Sequence, residues 1–238
     1  MRNYLLKKLF PVNCAVLTAA ILFAFILNQG AKQVMQVLPV YTGSTIIIDA
    51  GHGFPDGGAT SCTGVLESTL NLEISEKMNN LFHLFGINTR MTRENQDSIY
   101  TQGDTIAKKK ISDTRNRVAM INGVKNGILL SIHQNHYYES QYYGAQVFYA
   151  NNEESKVLAQ KLQNDLITYL NPDSKRQIKR SSGVYLMEHV QCTGVLIECG
   201  FLSNPREEAL LRSEQYQKKL SSVIVTSTLS FLNQNNAS

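Results

Sequence analysis

Internal repeats and low-complexity tracts are missing from these 238 residues, which excludes a solenoid and a largely disordered chain. Tryptophan is missing too. Cysteine is sparse: Cys14, Cys62, Cys192 and Cys199 form no CxxC pair, which excludes a cysteine-built zinc cluster. Cys14 falls in an apolar N-terminal stretch, and the three cysteines left in the body suggest no disulfide framework. Cys192 and Cys199 read as small apolar residues in or near a strand. Acid is missing from residues 1–31, whose Arg2, Lys7 and Lys8 make a charge of +3. The whole chain carries +4, so the body is close to neutral and has no extended nucleic-acid surface.

What is present is a 43% hydrophobic composition, enough for a real core, and one long apolar run. Residues 9–31 contain no charge, and a helix of roughly 20 mostly apolar residues spans a bilayer. Three bases precede the run, which puts residues 1–8 in the cytoplasm and the body outside. The run is a membrane-spanning anchor or a signal helix. No clean small-x-small cleavage site follows, which favours the anchor. The expected organisation is anchor or signal over 1–31, linker over 32–43 and one domain over 44–234.

Along the body, strands alternate with helices. Residues 45–49 read as a strand buried on both faces, 50–65 as a loop with five glycines, and 66–85 as a helix with Leu66, Leu70, Ile74, Met78, Leu81 and Phe85 at spacings of three and four. A strand is expected at 87–92, a polar loop at 93–111, and a helix at 112–122 with Arg115 and Arg117 on its exposed side. Strands at 127–132 and 145–150 precede a helix at 153–170. A basic loop (171–182), a short strand (184–187) and a last core strand (194–197) follow. Asn204-Pro205 opens a further helix, and 214–232 is the final one. The class is α/β: a single domain with a mixed, mostly parallel central sheet flanked by helices, after an N-terminal membrane-spanning or signal helix.

Three of these strands lead into a candidate ligand or acid: His52, His133 and Glu198. Open α/β sheets bind ligands beyond the C-terminal ends of their strands, so side chains distant in sequence meet there. Glu67, in the first turn of the first body helix, lies near the same edge. Two imidazoles and one carboxylate are the usual protein ligands of an open catalytic zinc site. A second carboxylate acts as general base on the activated water. Taken singly, each has a plainer reading: a strand-end hydrogen bonder for Glu198, a first-turn acid favoured by the helix dipole for Glu67. Their joint placement is the stronger signal. His136 is expected to rim the site, while His83 and His189 read as structural or exposed.

Ile48-Asp49-Ala50-Gly51-His52-Gly53, Leu66-Glu67, Ser131-Ile132-His133-Gln134-Asn135 and Ile197-Glu198-Cys199-Gly200-Phe201-Leu202-Ser203-Asn204 resemble the four motifs of the zinc-dependent N-acetylmuramoyl-L-alanine amidases (the amidase-3 family). The likeness runs from about residue 45 to residue 232. Within the family, the N-terminal run, the lack of wall-binding repeats and the stretch 179–187 resemble the germination-specific members that act on the spore cortex of endospore-forming bacteria. The resemblance implies Zn2+ held by His52, Glu67 and His133, with Glu198 as catalytic acid and base. It implies cleavage of the amide between N-acetylmuramic acid and the stem-peptide L-alanine in peptidoglycan, leading to muramic lactam in the cortex. Asn135 and Arg180 are candidate substrate contacts. The implied location is the outer face of the cytoplasmic membrane, in a spore former the space between forespore and mother-cell membranes. The membrane and peptidoglycan are the expected partners, with nucleic acid excluded and no activating protein identified. The residues alone leave two alternatives: a metallopeptidase cutting another wall-peptide amide, and an inactive wall-binding scaffold. Departures from the family pattern fall at Phe54, where glycine is common, and His136, where alanine is common.

Overall fold

Ile46, Ile47 and Ile48 are inaccessible on both faces in the computed structural model, which describes residues 43–236. They sit in β1 (Thr45–Ala50), followed by α1 (Glu67–Leu84), β2 (Thr89–Met91), α2 (Ile106–Asn122), β3 (Gly127–Asn135), β4 (Gln146–Tyr149), α3 (Glu153–Tyr169), β5 (Lys179–Arg180), α4 (Tyr185–His189), β6 (Thr193–Phe201), α5 (Pro205–Leu211) and α6 (Glu214–Asn236). The six strands form one sheet in the order β2-β1-β3-β6-β4-β5. Every neighbouring pair is parallel except β6 with β4. A sheet covered on both faces reads as continuous apolar runs, which is why β1 shows no alternation.

Side chains alternate across each strand. Ile46 and Ile48 of β1, Ile128, Leu130 and Ile132 of β3, and Val195, Ile197 and Cys199 of β6 join one core with α1, α3 and α6. Ile47, Leu129 and Leu196 point the other way and pack with Ile121 of α2 and Leu186 and Met187 of α4. Burying one such isoleucine contributes about 2 kcal/mol. The same alternation continues at the C-terminal ends of the central strands. Asp49, His133 and Glu198 therefore project on the α2–α4 side, while Cys199 is buried on the opposite side.

Several elements differ from the sequence expectations. Helix α2 begins six residues before the expected 112, inside what reads as a polar loop. Its start is fixed by Thr105, whose hydroxyl accepts from the Lys108 N–H, while the lysines of its first turns leave no apolar stripe to read. Residues 185–187 belong to a helix, not a strand, with Val184 as its extended cap: the Gly183 backbone (φ +78°) turns away from β5, and Glu188 accepts from its N–H. The β-propensity of Val184 and Tyr185 yields to that context. Strands β3 and β6 run three and four residues beyond their expected ends, so His133 and Glu198 lie within strands. The helix from Asn204-Pro205 forms as expected, with the Asn204 side chain accepting from the N–H groups of Arg206 and Glu207. Among the described residues no helix is long and apolar enough to cross a membrane. The expected helix over 1–31, and the linker up to residue 42, lie outside them.

Candidate metal centre

The turn after β1 has to reverse sharply, and His52 adopts a left-handed backbone (φ +60°) to do so. That conformation costs a non-glycine residue about 1–2 kcal/mol, and two buried arginines and an asparagine hold it. Arg93 donates to the carbonyls of Ala50 and Gly51 at 2.9 and 3.1 Å. Arg117 donates to those of Ala50 and His52 at 2.7 and 2.5 Å, and Asn71 adds a bond to Gly51. Every carbonyl from residue 50 to 52 is thus held.

With the backbone fixed, the His52 ring reaches two carboxylates. Its Nδ1 donates to Asp56 at 2.8 Å, and its Nε2 lies 3.2 Å from Oε2 of Glu67. Glu67, the first residue of α1, is buried, and its Oε1 lies 3.0 Å from Nδ1 of His133. The Glu67 oxygens also accept from the backbone N–H groups of Ala59 and Gln134 and from the Asn71 side chain. The His52 and His133 rings meet edge to face with centroids 5.0 Å apart. Ligand atoms of His52, Glu67 and His133 all lie within 4.8 Å of one another.

Several observations fit this trio to a metal ion. Burial works against a charge on His52, but the hydrogen bonds and charges of Asp56 and Glu67 outweigh it and raise the imidazole pKa to about 9. The Glu67 carboxyl is exposed to the same opposition: burial alone would raise its pKa, and the two imidazoles drive it far below the carboxylate range. The pocket therefore attracts positive charge. The Asp56 bond to Nδ1 fixes the tautomer that leaves Nε2 free for a ligand role, the usual support of a metal-binding histidine. Gly51 and Gly58 leave the space: a Cβ on Gly51 would lie 2.3 Å from the His133 ring, and one on Gly58 2.5 Å from Oε2 of Glu67.

Glu198 is the register partner of His133 on the adjacent parallel strand. Its Oε2 is buried without a hydrogen-bond partner. Burial pushes its carboxyl up to about 7, with Glu67 adding to the effect and the imidazoles opposing it. The cleft in front of it holds about 620 Å³. Lys110, Ile111 and Arg115 of α2 wall one side, residues 183–186 wall the other, and Ser131 and Leu196 line the floor.

Lining the same cleft is an ion network that the sequence does not announce. Arg117, expected on the exposed side of its helix, is 3% exposed. It pairs with Asp49 at 2.6 Å and Asp113 at 2.8 Å, and Asp49 also accepts from Thr92 and Ser131. Arg117 is displaced inward because Asp49, the penultimate residue of β1, is a buried carboxylate that needs a counter-charge. Asp56 was also missed, and its position four residues after His52 was the available signal. Asn135 is half-buried at the end of β3, and Arg180 is exposed on β5; neither lines the cleft. His136 and Phe54 are exposed and lie outside the lining too. His83 bonds Thr89 and His189 bonds the Tyr185 carbonyl, both at the surface.

Residues 46–229 match the Amidase_3 family, described as N-acetylmuramoyl-L-alanine amidase. The germination-specific N-acetylmuramoyl-L-alanine amidase of Bacillus subtilis is 35% identical over 195 residues, covering 81% of each chain. The CwlD amidase of Clostridioides difficile, solved in complex with the GerS lipoprotein, superposes with a TM-score of 0.77 at 35% identity, over 80% of this chain and 99% of that one. An N-acetylmuramoyl-L-alanine amidase of Clostridium difficile 630 gives 0.70 at 30% identity, over 80% and 97%.

Proposed function

The chain belongs to the N-acetylmuramoyl-L-alanine amidase family, and from that premise we propose that it is a Zn2+-dependent hydrolase of the amide joining N-acetylmuramic acid to the stem-peptide L-alanine of spore-cortex peptidoglycan. The observation that carries this reading is the convergence of His52, Glu67 and His133 beside Glu198, whose Oε2 is buried without a hydrogen-bond partner. The trio would hold the ion. When bound, Zn2+ supplies Lewis acidity toward the amide carbonyl and lowers the pKa of water.

The chain's own groups do the rest. Asp56 keeps the proton on Nδ1 of His52, so that Nε2 faces the trio. Arg93 and Arg117 hold the residue 50–52 backbone and with it the His52 ring. Glu198, pushed up to about 7, is suited to take a proton from the attacking water at Oε2 and return it to the leaving L-alanine nitrogen. Lys110 and Arg115 at the cleft wall offer positive charge to carboxylates of a stem peptide. Asn135 and Arg180 would meet only parts of a glycopeptide that extend beyond the cleft.

The identity to a germination-specific amidase supports the cortex assignment. A relative solved with a lipoprotein supports a protein partner for this chain as well. The charge-free run in residues 9–31 would hold the enzyme at the outer face of the membrane. Mass spectrometry of peptidoglycan digested by the purified protein tests the reading. New amino termini at the stem L-alanine, lost with a chelator and regained with zinc, are expected. New amines elsewhere in the peptide would instead make the protein a peptidase.

A further inference from the structure

The link between β3 and β4 contains four tyrosines in seven residues: Tyr137, Tyr138, Tyr142 and Tyr143. All four are exposed, Tyr138 by 80%. Large aromatic rings held in water mark a binding surface when they lie together, and Tyr137, Tyr138 and Tyr142 do. The Tyr137 and Tyr138 rings are 4.5 Å apart, and Tyr137 meets Tyr142 edge-on at 5.0 Å. Tyr142 continues to Phe201 at 6.3 Å, and Arg176 covers Phe201 at 4.5 Å. The array thus runs from open solvent to the last residue of β6, the strand that bears Glu198.

The loop is a built platform. Ser203 accepts from the Tyr137 N–H, Asn204 donates to the Tyr142 carbonyl, and Arg176 donates to the Tyr143 carbonyl. Buried Glu207 accepts from the Gly144 N–H. Both ends are pinned beside the candidate metal centre. Asn135, just before the loop, pairs with Phe201, and Gln146, just after it, pairs with Glu198. The tyrosines do not line the cleft walled by α2 and residues 183–186, so they provide a separate surface along the same edge of the sheet.

We propose that this tyrosine platform is a glycan subsite that stacks sugar rings of the peptidoglycan strand while the stem peptide enters the cleft. The proposal rests on the amidase reading, in which the scissile amide is attached to a sugar. A pyranose presents a face of C–H bonds that carry partial positive charge, and that face settles on the negative face of an aromatic ring. Its hydroxyls need polar neighbours, and the tyrosine O–H groups, Glu139 and Gln141 supply them. Residues 136–144 contain no leucine, isoleucine, valine or methionine, so the patch offers rings and polar groups without the aliphatic filling of a protein interface core.

The test is binding of the full chain to glycan strands stripped of stem peptides, beside hydrolysis of a soluble muramoyl dipeptide. Replacing Tyr137 and Tyr138 together by alanine is expected to weaken glycan binding about tenfold or more, the loss of two stacking contacts. Muramoyl-dipeptide kcat stays unchanged, and Tyr138→Phe, which keeps the ring, binds glycan within about threefold of the parent. Unchanged glycan binding in the double variant overturns the proposal. So does failure of the parent chain to bind stripped glycan, which would leave the patch to a protein partner. A parent that binds glycan through the tyrosines yet cuts no muramoyl–alanine amide would refute the amidase reading and spare the subsite.

Discussion

Replacing Arg117 by methionine should damage fold and site together. Asp49, 1% exposed, keeps its hydrogen bonds from Thr92 and Ser131 but loses the guanidinium 2.6 Å away. Breaking a buried ion pair by removing one partner costs about 3–5 kcal/mol, because the remaining charge is stranded. That is a large share of the roughly 5–15 kcal/mol that holds an average domain folded. For a chain of this size the melting temperature should fall by roughly 10 °C. Urea unfolding gives the free energy by linear extrapolation. The stranded charge makes a second prediction: Asp49→Asn in the Arg117→Met background should recover part of the loss, as a double-mutant cycle would register. The carbonyls of Ala50 and His52 also lose donors, so metal affinity should fall by about 10–100-fold, the usual cost of losing a supporting contact. A loss below about 1 kcal/mol, or no recovery in the double variant, would refute the network's role; the threshold sits under the range for a buried pair.

Three further outcomes are expected. Burial would raise the Asp49 pKa, but Arg117 and the hydroxyls of Ser131 and Thr92 overcome it and lower it to about 2. The unfolded chain therefore takes up this proton first as pH falls, and the stabilisation, present above pH 4, drains away between about pH 4 and 2 by about 2 kcal/mol. Urea midpoints measured across that window should drop in the parent and drop less in Asp49→Asn. Gly58→Ala places a Cβ 2.5 Å from Oε2 of Glu67 at a residue with φ +70°, so competition with a chelating dye should show weakened metal binding, and parental affinity would argue against the packed trio. Glu198→Gln should keep its metal, measured by elemental analysis, while turnover of muramoyl dipeptide falls by about 10²–10⁴-fold; near-parental turnover would remove Glu198 from the reaction.

The apolar residues made the architecture readable, because a strand buried on both faces and a helix with one apolar stripe leave different periods. Ile46–Ile48 and the Leu70–Ile74–Met78 stripe are both of this kind, and both are buried where the periods put them. Strand-end chemistry made much of the candidate site readable too, since parallel neighbours bring residues 52, 133 and 198 to one edge however far apart they stand in the chain. Charge was harder. In sequence, Arg117 beside Arg115 looks like a solvated helix face, and the Asp49 that draws it inward stands 68 residues away. The start of α2 stayed hidden because its first turns face water and hold lysines, so only the Thr105 cap marked it. Helix α4, five residues long, is too short for any period to register.

Asp49, Glu67 and Glu198 lie at one sheet edge, and what faces each of them separates their chemistry. Asp49 meets a guanidinium and two hydroxyls, stays ionised down to about pH 2 and has no proton to exchange near neutrality. Glu67 meets two imidazoles and three N–H donors, so it is a permanent anion whose surroundings favour a cation between the rings. Glu198 has an oxygen with no partner, and burial lifts its carboxyl to about 7. Of the three it alone can gain and lose a proton at neutral pH without breaking the structure around it. Environments that push neighbouring carboxylates apart in this way are what assign acid–base roles in other hydrolases. Under the proposed reaction they suit Asp49 to structure, Glu67 to charge and Glu198 to proton transfer.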